Sequence, residues 1–336
     1  MIILSFFFGL LVSLRNKLYD LGIFKVRRIK RPVISVGNLS VGGTGKTPAI
    51  ESLLDWIISE GYKPGVVAKG YGGNFSGIKK VIFEKQNKRT EFFGDEPELL
   101  ARKYPQVPIY VGKSKSLAAQ ILVLKEDVDL VLVDDGFQHR ALHRNLDILV
   151  VDPFASEKEW QLLPLGRLRE PIRNSVRAQV LLVSRANLIE QSKWMKSLKD
   201  IIKQFKSKQL TIVESHTKLE KAYSAAKPEQ SIDLKNVTAL LSGIGRPESF
   251  EAVAKKSGVQ FTQHFKFNDH YNYTLKDIDL ILGKVKSGLI LMTEKDFIKI
   301  KSINNLNLER FAVCSVKSEW LGDAQLLKSQ VMELLR

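Results

Sequence analysis

The residues best suited to chemistry are three glycines followed by a lysine and a threonine, within the stretch SVGGTGKT of residues 40–47. Backbone amides of a glycine-rich turn converge on an anion because no side chain blocks them. Lys46 has the reach to neutralise terminal phosphates, and the Thr47 hydroxyl suits Mg²⁺. The spacing predicts a phosphate-binding P-loop whose nucleotide site comprises Ser40, Val41, Gly42, Gly43, Thr44, Gly45, Lys46 and Thr47.

The elements beside this stretch are those that a P-loop requires. The apolar run 33–36 predicts a buried strand before the glycines, and Pro48 suits the first turn of a helix after them. The strict pattern has glycine where this chain has Ser40, and an ordinary glycine turn is the alternative. Gly-Lys-Thr between a strand and a helix favours the P-loop.

Carboxylates follow a second aliphatic run, VDLVLVDD at residues 128–135. An aspartate at the end of such a strand lies beside the Mg²⁺ of a P-loop site, so Asp134 or Asp135 is expected to hold the metal together with Thr47. Gln138, His139 and His143 follow on a predicted loop. Histidines alone, without cysteines, do not indicate a zinc site.

Three further stretches have two interpretations each. Asp95, in Gly-Asp-Glu-Pro, is either a helix cap or a carboxylate at the edge of an active site. The glycines after Lys69 either bind a ligand or form a plain turn. Arg167 and Arg169, in a proline-bounded loop, either clamp a phosphate or lie on a solvated connector.

The composition restricts the class of protein. The 336 residues carry a net charge of +16, are 44% hydrophobic and 26% charged, and include one cysteine, Cys314. These values indicate a globular protein of two domains without an internal disulfide. Such a positive charge favours an anionic partner, whether nucleic acid, acidic phospholipid or a phosphorylated substrate.

The N-terminus is apolar and then basic. Residues 1–14 contain no charged side chain, whereas residues 15–31 contain seven cations and one acid, Asp20. The apolar run is short for a membrane span and lacks the basic start of a secretory signal. We expect an anchor in the cytoplasmic leaflet, with its cations on anionic headgroups. The alternative is a buried core helix beside a solvated basic face.

Alternating strands and helices up to residue 206 predict a doubly wound parallel sheet. Residues 217–232 are polar without strong periodicity, which favours a linker. A second α/β unit begins at residue 237, and the last strand and helix are expected at 311–316 and 323–335.

Taken in order, the motifs resemble one family. Beside the P-loop, they are Gly94-Asp-Glu-Pro97, Asp134-Asp-Gly-Phe-Gln-His139, Leu168-Arg-Glu-Pro171, Asp269-His270 and Thr293-Glu-Lys-Asp296. This ordered set is similar to that of the tetraacyldisaccharide 4′-kinases, the lipid A 4′-kinases of Gram-negative bacteria. The resemblance extends from the N-terminal helix to about residue 300.

The resemblance implies a kinase that uses ATP and Mg²⁺ to phosphorylate the 4′-hydroxyl of a tetraacylated glucosamine disaccharide 1-phosphate, giving lipid IVA. It would act at the cytoplasmic face of the inner membrane. No nucleic acid and no protein partner are expected. The implied fold is a P-loop NTPase-like α/β domain with a smaller α/β domain and a two-stranded linker. The expected segments are 1–24 (membrane helix), 25–208 (kinase domain), 209–232 (linker) and 233–336 (smaller domain), with linker strands at 209–216 and 311–318.

The resemblance also assigns residues to roles. Asp95 and His270 would activate the sugar hydroxyl, with Lys46 completing the catalytic set, so Asp95 changes from cap to catalyst. Substrate contacts are implied at Tyr71, Gln138, His139, Arg169 and Glu170. Lys69 stands where the family has an arginine, and a lysine cannot contact a phosphate in bidentate fashion.

Two other functions fit parts of the sequence. A membrane-docked regulatory ATPase with a deviant P-loop needs a lysine where this chain has Val41. A nucleic-acid-dependent ATPase fits the positive charge, but aromatic residues are not interleaved with the basic ones. The sequence has neither of these two patterns and therefore favours the kinase.

Overall fold

A computed structural model describes residues 1–70, 76–82, 93–204, 210–303 and 306–336 of the protein. The strands within these ranges, in chain order, are β1 (Val33–Gly37), β2 (Pro64–Ala68), β3 (Ile78–Lys80), β4 (Ile109–Gly112), β5 (Leu130–Asp134), β6 (Leu146–Val151), β7 (Val180–Val183), β8 (Thr211–Ser224), β9 (Val237–Ser242), β10 (Gln263–Lys266), β11 (Leu289–Thr293) and β12 (Phe311–Gly322).

The α-helices of the described residues lie before, between and after these strands. They are α1 (Ile2–Asp20), α2 (Lys46–Ser59), α3 (Asp95–Lys103), α4 (Lys115–Lys125), α5 (Gln191–Lys203), α6 (Pro247–Lys256), α7 (Leu275–Lys284), α8 (Glu294–Ile300) and α9 (Ala324–Leu335).

All the strands belong to one sheet, in the order β10-β9-β11-β12-β8-β7-β6-β1-β5-β2-β4-β3. The P-loop strand β1 lies inside it, parallel to β5 on one side and to β6 on the other. The strands β9, β10, β11 and β12 are also mutually parallel. The prediction of a doubly wound α/β sheet is therefore confirmed. The described strands add antiparallel pairing at β3 with β4 and at β8 with β12.

The antiparallel pair β8 and β12 joins the two parallel parts of the sheet. Its register extends from Ala312 opposite Ser224 to Gly322 opposite Val213. The prediction of a linker at residues 217–232 depends on their lack of strong periodicity, and residues 217–224 of this segment continue β8. The alternation of apolar and polar residues expected of a strand is not evident here, because the buried face of β8 includes the polar residues Ser215 and Thr217.

Both faces of the larger parallel part are covered. On one face, Ile34 and Val36 of β1 pack in a core with residues of α2, α3 and α9. On the other, Val33 packs with α4, while α5 covers β6 and β7 through Trp194 and its apolar neighbours. Strands buried on both faces are expected of a parallel sheet, and they hold the loops at their carboxyl ends in place.

Helix α1 docks through a narrow stripe of mostly small or polar residues, of which Ser5, Gly9, Val12 and Asn16 are buried. Ser5 Oγ donates to the Leu162 carbonyl at 3.0 Å. The large apolar side chains face away from the protein, and Phe6 is 67% exposed. Among the described helices, α1 alone is long and apolar enough to cross a membrane. The structure therefore disagrees with the interpretation of this segment as a buried core helix.

Candidate active site

The P-loop connects the carboxyl end of β1 to α2, as the sequence predicts. Gly42 and Gly45 have φ angles of +99° and +95°, which side chains rarely adopt. The Asn38 side chain donates to Thr44 Oγ1 at 2.9 Å and ties the two ends of the loop together. Lys46 Nζ lies 3.4 Å from Asn38 Oδ1 and 3.7 Å from Asp135 Oδ1. The lysine is therefore held inside the loop that it is expected to serve.

The two aspartates at the carboxyl end of β5, Asp134 and Asp135, have different surroundings. Asp135 pairs with Arg169, whose Nη1 donates to Asp135 Oδ2 at 2.7 Å. Burial raises the pKa of Asp135, but Arg169 and Lys46 outweigh this effect and hold it far below its usual range. Asp134 Oδ1 is buried without a hydrogen-bond partner among the described residues. Burial and the nearby Glu96 raise the pKa of Asp134 to about 6.

These surroundings fit Mg²⁺, since a buried carboxylate without a partner is stabilised by a cation. Thr47 and Glu96 line the same cleft as Asp134, and Thr47 Oγ1 donates to Glu96 Oε1 at 3.4 Å. The described residues contain no group of three or more His, Cys, Asp or Glu that could hold a metal alone. A P-loop Mg²⁺ site does not need one, because the nucleotide and water complete its coordination.

The Asp95 and His270 side chains meet across the cleft. His270 Nδ1 lies 3.0 Å from Asp95 Oδ2 and 3.2 Å from Asp95 Oδ1. Burial raises the pKa of Asp95, but the His270 hydrogen bond and two lysines hold it below its usual range. The same hydrogen bond raises the pKa of His270, against the opposing effect of burial. An ionised carboxylate that orients an imidazole is an arrangement that can accept a proton.

Helix α8 places two lysines against this carboxylate and its neighbour, which sequence reasoning missed. Lys299 Nζ lies 3.3 Å from Asp95 Oδ2. Lys295 Nζ donates to Glu96 Oε1 in a short contact. The motif Thr293–Asp296 marked this region in the sequence, but the pattern did not reveal which carboxylates its lysine would meet.

Two arginines that sequence reasoning did not select lie beside the P-loop. Arg185, after β7, donates to the Gly43 carbonyl at 3.0 Å and pairs with Asp152 at 3.0 Å. Arg246, between β9 and α6, pairs with Asp152 at 2.7 Å and with Glu159 at 3.0 Å. Asp152 is 3% exposed, so its charge is compensated by one arginine from each part of the sheet.

The loop between β9 and α6 lies directly on the P-loop at Gly245. A Cβ atom at this position would overlap the backbone nitrogen of Gly43 and stand 2.7 Å from Asp269 Oδ2. Gly245→Ala is therefore expected to weaken ATP binding by roughly tenfold, since overpacking costs about 1–3 kcal/mol. Equilibrium titration of the variant with ATP and Mg²⁺ measures this change.

Gly283→Ala provides the matched control. Gly283 lies in α7, where among the described residues no atom stands within 4 Å of the added Cβ. This variant is expected to bind ATP like the parent protein. Equal affinities of Gly245→Ala and the parent would show that Gly245 leaves the P-loop when the nucleotide binds.

The predicted substrate residues divide into distinct settings. Tyr71 lies outside the described residues. Arg169 lines the cleft, bonded to Asp135 as given above. His139 Nε2 is buried and, within the described ranges, accepts or donates no hydrogen bond; burial and Lys115 lower the pKa of His139 to about 4.

Glu170 and Gln138 instead belong to a buried network. Glu170 is 0% exposed, and its oxygens accept from Asn16 at 3.1 Å, Gln138 at 2.8 Å, Asn174 at 3.0 Å and Arg177 at 2.8 Å. Burial raises the pKa of Glu170, while Arg177 and the amides outweigh this and lower it. Direct substrate contact by these two residues remains a prediction.

The site as a whole is a cleft of about 620 Å³ at the carboxyl ends of the parallel strands. Its walls include the whole P-loop, Asp95, Asp134, Asp135 and His270. Ligand sites of small molecules have this size, and open α/β sheets bind ligands at this edge. The cleft therefore brings the predicted nucleotide, metal and proton-transfer groups together.

The family model of tetraacyldisaccharide-1-P 4′-kinase matches residues 1–336 of this chain. The tetraacyldisaccharide 4′-kinase of Bdellovibrio bacteriovorus is 36% identical over 306 residues, which cover 90% of this chain and 89% of the relative. That of Chlorobaculum tepidum is 31% identical over 341 residues, covering 98% and 95%.

A solved structure agrees with these sequence matches. LpxK from Aquifex aeolicus, described as an "apo" form in complex with ATP, superposes with a TM-score of 0.77 at 27% identity. The superposition covers 100% of this chain and 98% of that one. The chain is thus a member of the tetraacyldisaccharide-1-P 4′-kinase family.

Proposed function

We propose that this protein transfers the γ-phosphate of ATP to the 4′-hydroxyl of a tetraacylated glucosamine disaccharide 1-phosphate, giving lipid IVA in lipid A biosynthesis. The two relatives given above are both named tetraacyldisaccharide 4′-kinase, which agrees with this reaction. The observation that supports it best is the meeting of a P-loop lysine and an Asp95–His270 pair in one cleft. Phosphoryl transfer to an alcohol needs both a phosphate cradle and a proton acceptor.

Each group then has a separate task. Lys46 and the P-loop amides hold the β- and γ-phosphates, and the Asp95–His270 pair receives the proton of the sugar hydroxyl. Because Asp95 and His270 share a hydrogen bond, the proton is assigned to the pair. Mg²⁺ held by Asp134 and Thr47 would supply positive charge that neutralises the charge developing on the phosphates.

The two aspartates at the carboxyl end of β5 would have separate roles around the phosphates. Asp134, with its buried oxygen and raised pKa, would hold the metal together with Thr47. Asp135, paired with Arg169, would fix that guanidinium and Lys46 in place. The division into a kinase domain of 25–208 and a smaller domain of 233–336 belongs to the same proposal.

The substrate carries four acyl chains, so its sugar is reachable only at a water–lipid boundary. The apolar face of α1 and the cations that follow it suit the cytoplasmic surface of the inner membrane. Buried small residues dock α1 on the protein, while Ile2, Phe6, Leu10 and Leu11 are more than half exposed. The acyl chains and α1 would then share one hydrocarbon layer.

Deleting residues 2–14 is expected to move most of the protein from the membrane to the soluble fraction, because the exposed apolar face is lost. The finer variant Phe6→Gln/Phe7→Gln/Leu10→Gln removes apolar area but leaves the docking stripe intact. Membrane flotation with anionic vesicles measures the change.

Two exposed leucines elsewhere, Leu124 and Leu280, provide the control for this variant. Leu124→Gln/Leu280→Gln is expected to float with vesicles like the parent protein. Full vesicle binding by the α1 variant would assign membrane attachment to other surfaces.

The activity itself is tested with γ-labelled ATP and the acylated disaccharide 1-phosphate in mixed micelles. We expect the label on the lipid, at the 4′ position, with little release of phosphate when the acceptor is absent. Release of phosphate at the same rate with and without acceptor, and an unlabelled lipid, would instead indicate a regulatory ATPase.

A further inference from the structure

The motif Thr293-Glu-Lys-Asp296 lies beside the cleft, where its Lys295 contacts Glu96, but the proposed reaction gives the motif no role. It forms the turn from β11 into α8, where Thr293 Oγ1 caps the helix by accepting from the Asp296 backbone at 3.3 Å. Asp296 has no exposed surface. A buried carboxylate is costly unless several donors satisfy it, so its partners indicate what it holds in place.

Asp296 joins three segments around the cleft. Its Oδ1 accepts from the Gly243 backbone at 2.9 Å and from the Tyr273 hydroxyl at 2.8 Å, and its Oδ2 accepts from Thr293 Oγ1 at 2.6 Å. Gly243 begins the loop that reaches the P-loop, and Tyr273 ends the loop that carries His270.

These three segments pack closely against one another. A Cβ atom at Gly243 would stand 2.8 Å from the Tyr273 hydroxyl and 3.2 Å from Asp296 Oδ1. The Tyr273 ring packs edge-on against Phe267, with centroids 5.1 Å apart. The two ends of the His270 loop are therefore fixed to the same cluster.

His270 itself needs such support. Its φ of +60° is unusual for a residue with a side chain, and surrounding contacts have to maintain it. The other member of the pair, Asp95, is contacted by Lys299, which lies one turn after Lys295 on α8. Helix α8 therefore supports both members of the pair. Its Lys299 contacts Asp95, and its Asp296 accepts a hydrogen bond from Tyr273, which ends the His270 loop.

We propose that Asp296 is a positioning residue that acts through the Tyr273 hydroxyl to hold His270 against Asp95. This inference depends on the proposed function, since it assigns a role within the same proton-accepting pair. It gives Tyr273 no contact with the substrate, because its hydroxyl is already bonded to Asp296. The expected signature is a loss of turnover with unchanged nucleotide binding.

The test is Tyr273→Phe, which removes one hydroxyl and keeps the ring. We expect kcat to fall by roughly tenfold to a hundredfold, since small misplacements of catalytic groups have effects of this size. The equilibrium dissociation constant of ATP is expected to stay within about twofold, as the P-loop contacts remain.

Tyr271→Phe is the matched control in the same loop. The Tyr271 ring also packs on Phe267, at 4.6 Å between centroids, but its hydroxyl donates to Asp277 at 3.3 Å. We expect parental kcat from this variant. An equal loss in both tyrosine variants would contradict the proposal, because it would trace the effect to general loosening of the loop.

A double-mutant cycle with His270→Ala separates positioning from a structural role. If Tyr273 acts through His270, adding Tyr273→Phe to His270→Ala should lower kcat no further. An equal drop in both backgrounds, or parental kcat in Tyr273→Phe alone, would overturn the inference. Absence of transfer by the parent protein would instead contradict the proposed function.

Asp296 is tested with a conservative and a disruptive variant. Asp296→Asn retains an oxygen for Gly243 and Tyr273, whereas Asp296→Ala retains none, so kcat should be higher in the former. Circular dichroism identifies an alanine variant that fails to fold, and Tyr273→Phe then carries the test. A fully folded Asp296→Ala with parental kcat would contradict the proposal.

Discussion

Lys46→Ala is expected to lower phosphoryl transfer by on the order of a thousandfold, because a preorganised cation aimed at developing charge contributes an effect of that size. The Lys46 side chain is 15% exposed and lies between Asn38 and Asp135. Alanine therefore removes a positive charge from the phosphate cradle and leaves the Asp135 carboxylate paired with Arg169.

Single-turnover transfer of labelled phosphate measures this loss, and ATP titration shows how much of it arises in binding. Lys284→Ala, at the exposed end of α7, is the matched control and should behave as the parent protein. Transfer at the parental rate by Lys46→Ala would remove the P-loop from the reaction.

His270→Ala is the second large effect that we expect, with kcat reduced by roughly a hundredfold to ten-thousandfold. Its ring is about a third exposed in the cleft, so the fold should survive the change. His216, on β8, provides a matched histidine control whose substitution should leave kcat unchanged. A parental turnover number for His270→Ala would exclude the ring from the proton-accepting pair.

The pH dependence follows from the direction of the His270 pKa shift. The Asp95 hydrogen bond raises the pKa of His270, so the pair loses its ability to accept a proton as the pH falls through this raised value. The acidic limb of kcat should lie above the ordinary histidine value of about 6.5. Asp95→Asn removes the charge that raises the pKa and should move the limb to lower pH.

The same shift affects folding stability in a defined direction. A histidine with a raised pKa binds its proton more tightly in the folded state. Its stabilising contribution is therefore complete below about pH 6.5 and is lost as the pH rises through the folded pKa. His270→Ala should remove this part of the pH dependence of unfolding, which chemical denaturation at several pH values measures.

Local patterns in the sequence predicted the parts of the site that are continuous in the chain. The P-loop between β1 and α2 and the aspartates at the carboxyl end of β5 follow from apolar runs that end in glycine, lysine or acid. Each of these signals needs only a strand, a turn and the next residues. Residue spacing is enough for them because the carboxyl ends of parallel strands share one edge.

Contacts between distant segments could not be predicted by spacing. Asp95 and His270 are 175 positions apart, and in the sequence only the family resemblance indicates that they form a pair. Lys295 meets Glu96, and Arg246 meets Asp152, because the two parts of the sheet face each other across the cleft. The full length of β8 was missed since its buried face is partly polar.

The docking stripe of α1 has a consequence for the membrane attachment proposed above. Asn16 on this helix donates to Glu170, Glu170 also accepts from Gln138, and Gln138 donates to the Asn38 carbonyl beside the P-loop. Rotation of α1 about its axis would break the hydrogen bond between Asn16 and Glu170, so this bond fixes the orientation of the helix. In the proposed membrane-bound state, hydrogen bonds within the protein would therefore set the angle between the lipid plane and the active-site cleft.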